Sequence, residues 1–414
     1  MFVGKKTTLF ILLLFGIALR LIWVEDMEYK GDEIWMFNKT QTVGVSEPWP
    51  TFGMLSGIGT PNPGMSAWVF IALAKIFHIT KPTELARAVQ GLNIAALILL
   101  LFFALKVVPQ NEKMIWIWAF ALVCVNPTAV LFHRKIWAQC ALPFFSMLTI
   151  FGFWFRYKKS GAFLWGLFGA ILGQVHMSGF FFSFGIFLWT VLFQRKNVCK
   201  NICWMFWILG SLLGAIPMIP WILYTWQTSV PTPAGFRHIL QFKFFRFWFT
   251  DTLGTRLSYS LHAEHYKDFL SYPLLLNKPT YFVGLLHGAT FFIGFYILFK
   301  SIFRFLKNRF SLISFLSGSN SSTFFLINAV FWGMGIFLTA TNFYIERHYM
   351  IVTFPLEFVW LCGLALKYCR KASMLLGTLC VLEFLISINF LNYIHINCGA
   401  PQGDYGVAYR CRKD

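Results

Sequence analysis

The chain has 414 residues, 57% of them hydrophobic and only 12% charged, with a mean hydropathy of +0.63. A water-soluble core of this length needs no such apolar excess, so a soluble globular domain is excluded and an all-α polytopic membrane protein is predicted. The net charge of +19 lies in short clusters between apolar runs and not in one stripe, so it reads as membrane topology and no nucleic-acid partner is expected.

The N-terminus, MFVGKKTTLFILLLFGIALRLIW, sets Lys5 and Lys6 before an apolar run. Arg20 and the bulky residues after it leave no small-residue cleavage site, so the run 8–24 is read as an uncleaved first membrane helix with a cytoplasmic N-terminus. Directly after it comes YKGDEIWMF, residues 29–37. Of the 16 acidic residues in the chain, Glu25, Asp26, Glu28, Asp32 and Glu33 fall within positions 25–33, and none lies between Lys113 and Thr250. Chemistry that needs a carboxylate base therefore has few candidates, with Asp32 and Glu33 first among them. Glu25, Asp26 and Glu28 read as the solvated mouth of the helix.

The next apolar run, 65–79, is short, carries Lys75 and follows the helix-breaking GIGTPNPG. Longer runs follow at 86–105, 114–132, 139–155, 162–176, 178–193, 202–224, 280–299, 323–341, 349–366 and 373–391. If 65–79 stays outside as a juxtamembrane helix, the inward loops are KVVPQNEK, RYKKSG, QRKNVCK, KSIFRFLKNRF and KYCRK, and each is basic. If it crosses, the positive-inside rule fails at all five. The expectation is about eleven transmembrane helices with a helical first outer loop. The predicted parts are a membrane module 1–225 including the outer loop 25–85, an outer segment 226–278, C-terminal spans 279–391 and an external tail 392–414.

Three short outer turns then carry positive charge where such turns normally lack it: FHRKIWAQ with Arg134 and Lys135, GQVHMSG with His176, and YIERHY with Arg347 and His348. Arg237, Lys243, Arg246 and Arg256 join them from the second outer segment. Cations gathered on one face point to an anionic ligand, phosphate first. The stretch 231–269 reads as an amphipathic helix in the interface or as a cover for the site, with Arg237, Arg246 and Arg256 as acceptor-binding or lid residues. His262 and His265 flank Glu264 without a third ligand, so no metal site is assigned and a divalent cation is neither required nor excluded. Glu357 and Glu383 fall inside predicted spans and are expected to be hydrogen-bonded or to face a cavity. Cys398 and Cys411 share the external tail, where a disulfide can form. There is no phosphate-cradling Gly loop and no G-x-S-x-G turn.

Asp32-Glu33 after the first helix, TPNPGMSAWVF, ELARAVQGLNIAALILL, IPWILYTWQ and RHYMIVTFPLEF together resemble the GT-C glycosyltransferases. The likeness is to the branch of protein O-mannosyltransferases and the bacterial lipid A aminoarabinose transferase. The resemblance implies an inverting enzyme that takes a sugar from a polyprenyl-phosphate carrier. It would transfer that sugar to a lipid, glycan or protein acceptor at the periplasmic side of a bacterial inner membrane. It assigns Asp32 as base with Glu33 as its neighbour, and Arg134, Lys135, His176, Arg347 and His348 to the carrier phosphate. The chain departs from the aminoarabinose branch at Gln139, where that branch has Asp, at HMSG, where it has Lys-Gly, and at Asn62, where it has Lys. A polysaccharide ligase or polymerase, with its key groups in the late outer segment, and a lipid or solute transporter remain alternatives. The transporter would be expected to show inverted repeats and midplane polar residues.

Overall fold

Apolar runs become helices, and Pro and Gly set where they end. The computed structural model describes residues 6–56, 59–194, 199–228, 240–255, 257–307, 321–341 and 344–412. In chain order the helices are α1 (Lys6–Leu21), α2 (Gly31–Thr42), α3 (Met65–Ile76), α4 (Pro82–Phe102), α5 (Lys113–Val125) and α6 (Pro127–Phe132). They continue with α7 (Leu142–Trp154), α8 (Lys159–Val175), α9 (Ser178–Phe193), α10 (Trp204–Ala215), α11 (Ile219–Gln227) and α12 (Lys243–Asp251). The last six are α13 (Leu257–Ser271), α14 (Phe282–Lys307), α15 (Ser322–Asn328), α16 (Gly335–Ala340), α17 (Leu356–Tyr368) and α18 (Ala372–Ile396).

Among the described residues five helical stretches are long and apolar enough to cross a membrane: Pro82–Val107, Trp204–Gln227, Phe282–Lys307, Ser322–Ala340 and Ala372–Ile396. A sixth is the pair Arg347–Thr353 and Leu356–Tyr368, bent by 73°. The chain is thus an all-α integral membrane protein. The predicted run 114–132 breaks because Pro127 has no N–H to continue α5; it starts α6 instead, with Asn126 accepting from the Ala129 N–H at 3.0 Å. Pro355 breaks 349–366 in the same way. The 12 residues of α3 reach about 18 Å, too short to cross.

Burial of polar groups ties the first helices together. Arg20 is fully buried, yet its guanidinium donates to His133 Nδ1 at 2.9 Å, Gly16 O at 2.8 Å, and Val123 O and Cys124 O at 3.0 Å. A buried charge with four acceptors is satisfied, and it fixes α1 against α5 and α6. Glu357 accepts from Thr353 Oγ1 at 2.9 Å beside a cavity of about 30 Å³ walled also by Asn126 and Asp251. Helix α12 packs Phe244, Phe247 and Trp248 inward instead of lying on the surface. At the C-terminus β1 (Gly399–Ala400) and β2 (Gly406–Val407) pair as an antiparallel hairpin, closed by a disulfide between Cys398 and Cys411.

Candidate active site

The loop after α1 turns through Val24–Asp26 and enters α2 with Lys30 as its N-cap. The Glu33 carboxylate accepts the Lys30 N–H at 3.2 Å, which satisfies one of the amides a helix start leaves open. Asp32 sits in the first turn, where the positive end of the helix dipole favours a negative charge. One Asp32 oxygen, Oδ2, accepts the indole N–H of Trp137 at 2.9 Å. Trp137 stands at the entry to the short helical turn Ala138–Ala141, so a residue 105 positions away orients the carboxylate.

Asp32 and Trp137 wall a cleft of about 350 Å³ together with Asn62, Gln139, His176, Glu346, His348 and Tyr349. Ring contacts run around it: Trp137 to His348 at 5.2 Å between centroids, His348 to His176 at 5.3 Å, and His176 to Tyr349 at 5.4 Å. Burial lowers the His176 pKa to about 3, so its ring is neutral at pH 7. His176 Nδ1 lies 2.8 Å from Ser178 Oγ and 3.2 Å from the Ser178 backbone N; with Nδ1 accepting from that N–H, the ring proton is on Nε2 as a donor. Gln139 is 7% exposed and its Oε1 has no hydrogen-bond partner among the described residues. Asn62 uses its amide on Met54 O at 2.8 Å. Two positions where the chain departs from the resembled branch are thus neutral amides in this cleft. A second, apolar chamber of about 620 Å³, walled by Trp165, Phe180, Phe184, Phe187, Trp207 and Phe337, is a neighbour of the cleft, and Met177 lines both.

Of the residues expected at a phosphate, His176 and His348 line the cleft. Arg134 does not: its guanidinium donates to Leu19 O at 2.8 Å and Trp23 O at 2.9 Å. Those carbonyls lie at the end of α1, which has unpaired acceptors and the negative end of the dipole, so the cation caps a helix. Lys135 is buried against Glu28. Burial works against its charge, but Glu28, Asp404 and Glu33 outweigh that and hold the ammonium above its ordinary pKa. Arg347 faces Asp251 at 3.8 Å and the ring of Phe247, on the side of α12. Arg246 is exposed beside the same Phe247, and Arg237 and Arg256 lie outside the described residues.

Glu33 is 1% exposed and is not among the cleft-lining residues. Burial first, then Glu28, push its carboxyl up to about 8. Asp26 and Glu28, expected at a solvated mouth, are each 2% exposed, whereas Glu25 is exposed. The sequence reading missed Trp137 as the partner of Asp32; it counted Lys243 among the outer cations without a role of its own, and the Lys243 ammonium lies 3.4 Å from the ring centre of the cleft residue Tyr344. An aromatic next to a basic outer turn was the available signal for Trp137. Among the described residues no three His, Cys, Asp or Glu side chains gather as a metal ligand set.

The geometry defines a class: a helical membrane protein with a carboxylate cleft beside an apolar chamber. No protein-family model and no curated protein matches the sequence. Among solved structures the chain is similar to the archaeal oligosaccharyltransferase AglB from Archaeoglobus fulgidus in complex with an inhibitory peptide and a dolichol-phosphate. Sequence identity is 14% and the TM-score 0.46, over 97% of this chain and 57% of that one. The apo form of the Archaeoglobus fulgidus enzyme gives 13% identity and a TM-score of 0.43, over 98% and 57% of the two chains. The chain thus spans 57% of the length of these proteins.

Proposed function

We propose that the chain is a membrane glycosyltransferase of the GT-C type that moves a sugar from a polyprenyl-phosphate carrier to an acceptor hydroxyl, with inversion and with Asp32 as general base. The observation that carries this reading is that the Asp32 cleft and the aromatic-walled chamber are neighbours, with Met177 lining both. A carboxylate held by an indole N–H takes the proton of the acceptor, and the greasy chain of the carrier lies in the chamber. The acceptor oxygen attacks the anomeric carbon while the bond from that carbon to the phosphate oxygen breaks. Polyprenyl phosphate leaves with the electron pair.

His348 and the Nε2–H of His176 are set to donate to that phosphate, and Lys243 supplies a cation at the rim beside Tyr344. Gln139 Oε1, buried without a partner, is satisfied by a substrate hydroxyl. Arg237, Arg246 and Arg256 are assigned to the acceptor side or a lid. With eleven crossings and basic loops inward, the cleft opens on the periplasmic side of a bacterial inner membrane. Asp32 and Glu346 are the acids lining the cleft, and a proton transfer to Asp32 requires no metal ligand set.

The test is transfer by purified protein given radiolabelled polyprenyl-phosphate sugars. Asp32→Asn is expected to lower the rate by about 10³-fold, while Glu25→Gln, on an exposed side chain, changes it less than about 2-fold. Full activity of Asp32→Asn removes Asp32 as the base.

A further inference from the structure

The acidic loop that leads into α2 is held from the far end of the chain. Arg410 donates to Asp26 Oδ1, His395 Nδ1 lies 2.6 Å from Asp26 Oδ2, and the Tyr405 hydroxyl donates to the Asp26 carbonyl. The Tyr409 N–H donates to Met27 O at 3.0 Å, Glu28 pairs with Ala408 as an antiparallel bridge, and Arg412 donates to Tyr29 O. Then comes an ion cluster. Lys30 bridges Glu28 at 2.9 Å and Asp404 at 3.1 Å, and Lys135 lies against the other oxygen of Glu28 and 4.0 Å from Asp404 Oδ2. The Cys398–Cys411 disulfide and the Ala408 N–H to Cys398 O bond at 2.9 Å keep this tail folded as a unit.

The cluster has leverage over the cleft from both sides. Lys30 precedes Asp32 by two residues and is the N-cap of its helix, and Lys135 precedes Trp137 by two. The hydrogen-bonded pair at the cleft thus hangs from two lysines that one tail carboxylate helps to hold. Lys30 also donates to the Asp404 carbonyl; without the Asp404 carboxylate that bond remains, but two ammoniums share the single carboxylate of Glu28. The Lys135 side chain, 3% exposed, cannot turn to water, so it and Lys30 must redistribute around Glu28.

We propose that Asp404, on the disulfide-closed tail, is a positioning residue for the transfer reaction: it locks Lys30 and Lys135 and thereby fixes the Asp32–Trp137 pair. The catalytic half of this proposal rests on Asp32 being the base; the mechanical half does not. A displacement of the base by a fraction of an ångström acts on the chemical step and leaves the binding of the carrier chain untouched.

Two measurements test it. In hydrogen exchange without substrate, Asp404→Asn and the double variant Cys398→Ser/Cys411→Ser are expected to exchange faster than wild type in residues 28–36, with α5 unchanged. In transfer assays both lower kcat by about 10-fold with the donor KM within about 2-fold, and Asp404→Glu restores most of the rate. A thiol reductant lowers kcat of the wild type and leaves the double variant as it was. Unchanged exchange at 28–36 in both variants overturns the clamp, whatever activity does, and so does equal loosening of α5. Faster exchange with unaltered kcat, or a change confined to KM, overturns the positioning role. If Asp32→Asn proves fully active, the exchange data still decide the clamp by themselves.

Discussion

Asp32 and Glu33 are adjacent in sequence and differ in environment, because successive residues on a helix point about 100° apart. Asp32 is half-buried at the cleft with Trp137 as donor, whereas Glu33 turns into the protein. With its carboxyl raised from 4.5 to about 8, Glu33 is protonated in the folded chain at neutral pH and ionised in the unfolded one. The folded state therefore binds the extra proton between these values. The contribution of Glu33 to stability is fully present below about pH 4.5 and is lost as pH rises through about 8. Glu33→Gln is expected to flatten the fall of the thermal midpoint between pH 5 and 8 in detergent. A wild-type slope in the variant contradicts this assignment. The buried state of Asp26 and Glu28 was not legible from local sequence, because the partners of Asp26 come from residues 395–410 and Glu28 is covered by Lys135 and by a backbone bridge to Ala408.

At the scale of elements, α8 is seated between α7 and α10 by glycines. A Cβ on Gly166 would stand 2.1 Å from Trp207 O, and one on Gly210 equally close to Phe163 O. Without a hydrophobic drive between helices in lipid, such backbone approach supplies the packing. Gly166→Leu is expected to cost about 2–3 kcal/mol through forced separation, read as a lower thermal midpoint. Gly91→Ala on α4, where a Cβ meets nothing within 4 Å, is the control and leaves the midpoint unchanged or slightly higher. Because α8 and α10 also wall the apolar chamber, the loss is expected to reach donor binding as well.

The proposed orientation of the whole molecule rests on charge, not contacts. Every inward loop of the predicted topology is basic, and the acids cluster beside the cleft. Cysteines introduced at Val45, 81% exposed, and at the exposed Ser160 are expected to face opposite sides of the membrane. An impermeant maleimide should label Val45→Cys in intact cells and Ser160→Cys after permeabilisation. Labelling of both from one side rejects the topology and with it an active site outside the cytoplasm.

By itself the sequence determined the solvent and the class: apolar runs of spanning length leave no other fold, and scarce acids single out the loop after the first helix. The predicted apolar runs pass through Pro127 and Pro355, where the helices break, because hydropathy does not register a missing N–H. Only the tertiary structure decided which charges are available for chemistry. Arg134 and Lys135 look like Arg347 and His348 in sequence, each a cation on a short turn. The carbonyls at the end of α1 and the carboxylate of Glu28 occupy the first two, Arg347 faces Asp251, and of the four His348 lines the cleft. A buried charge must find its counterpart wherever the fold brings one, and that partner is set by packing between segments far apart in the chain.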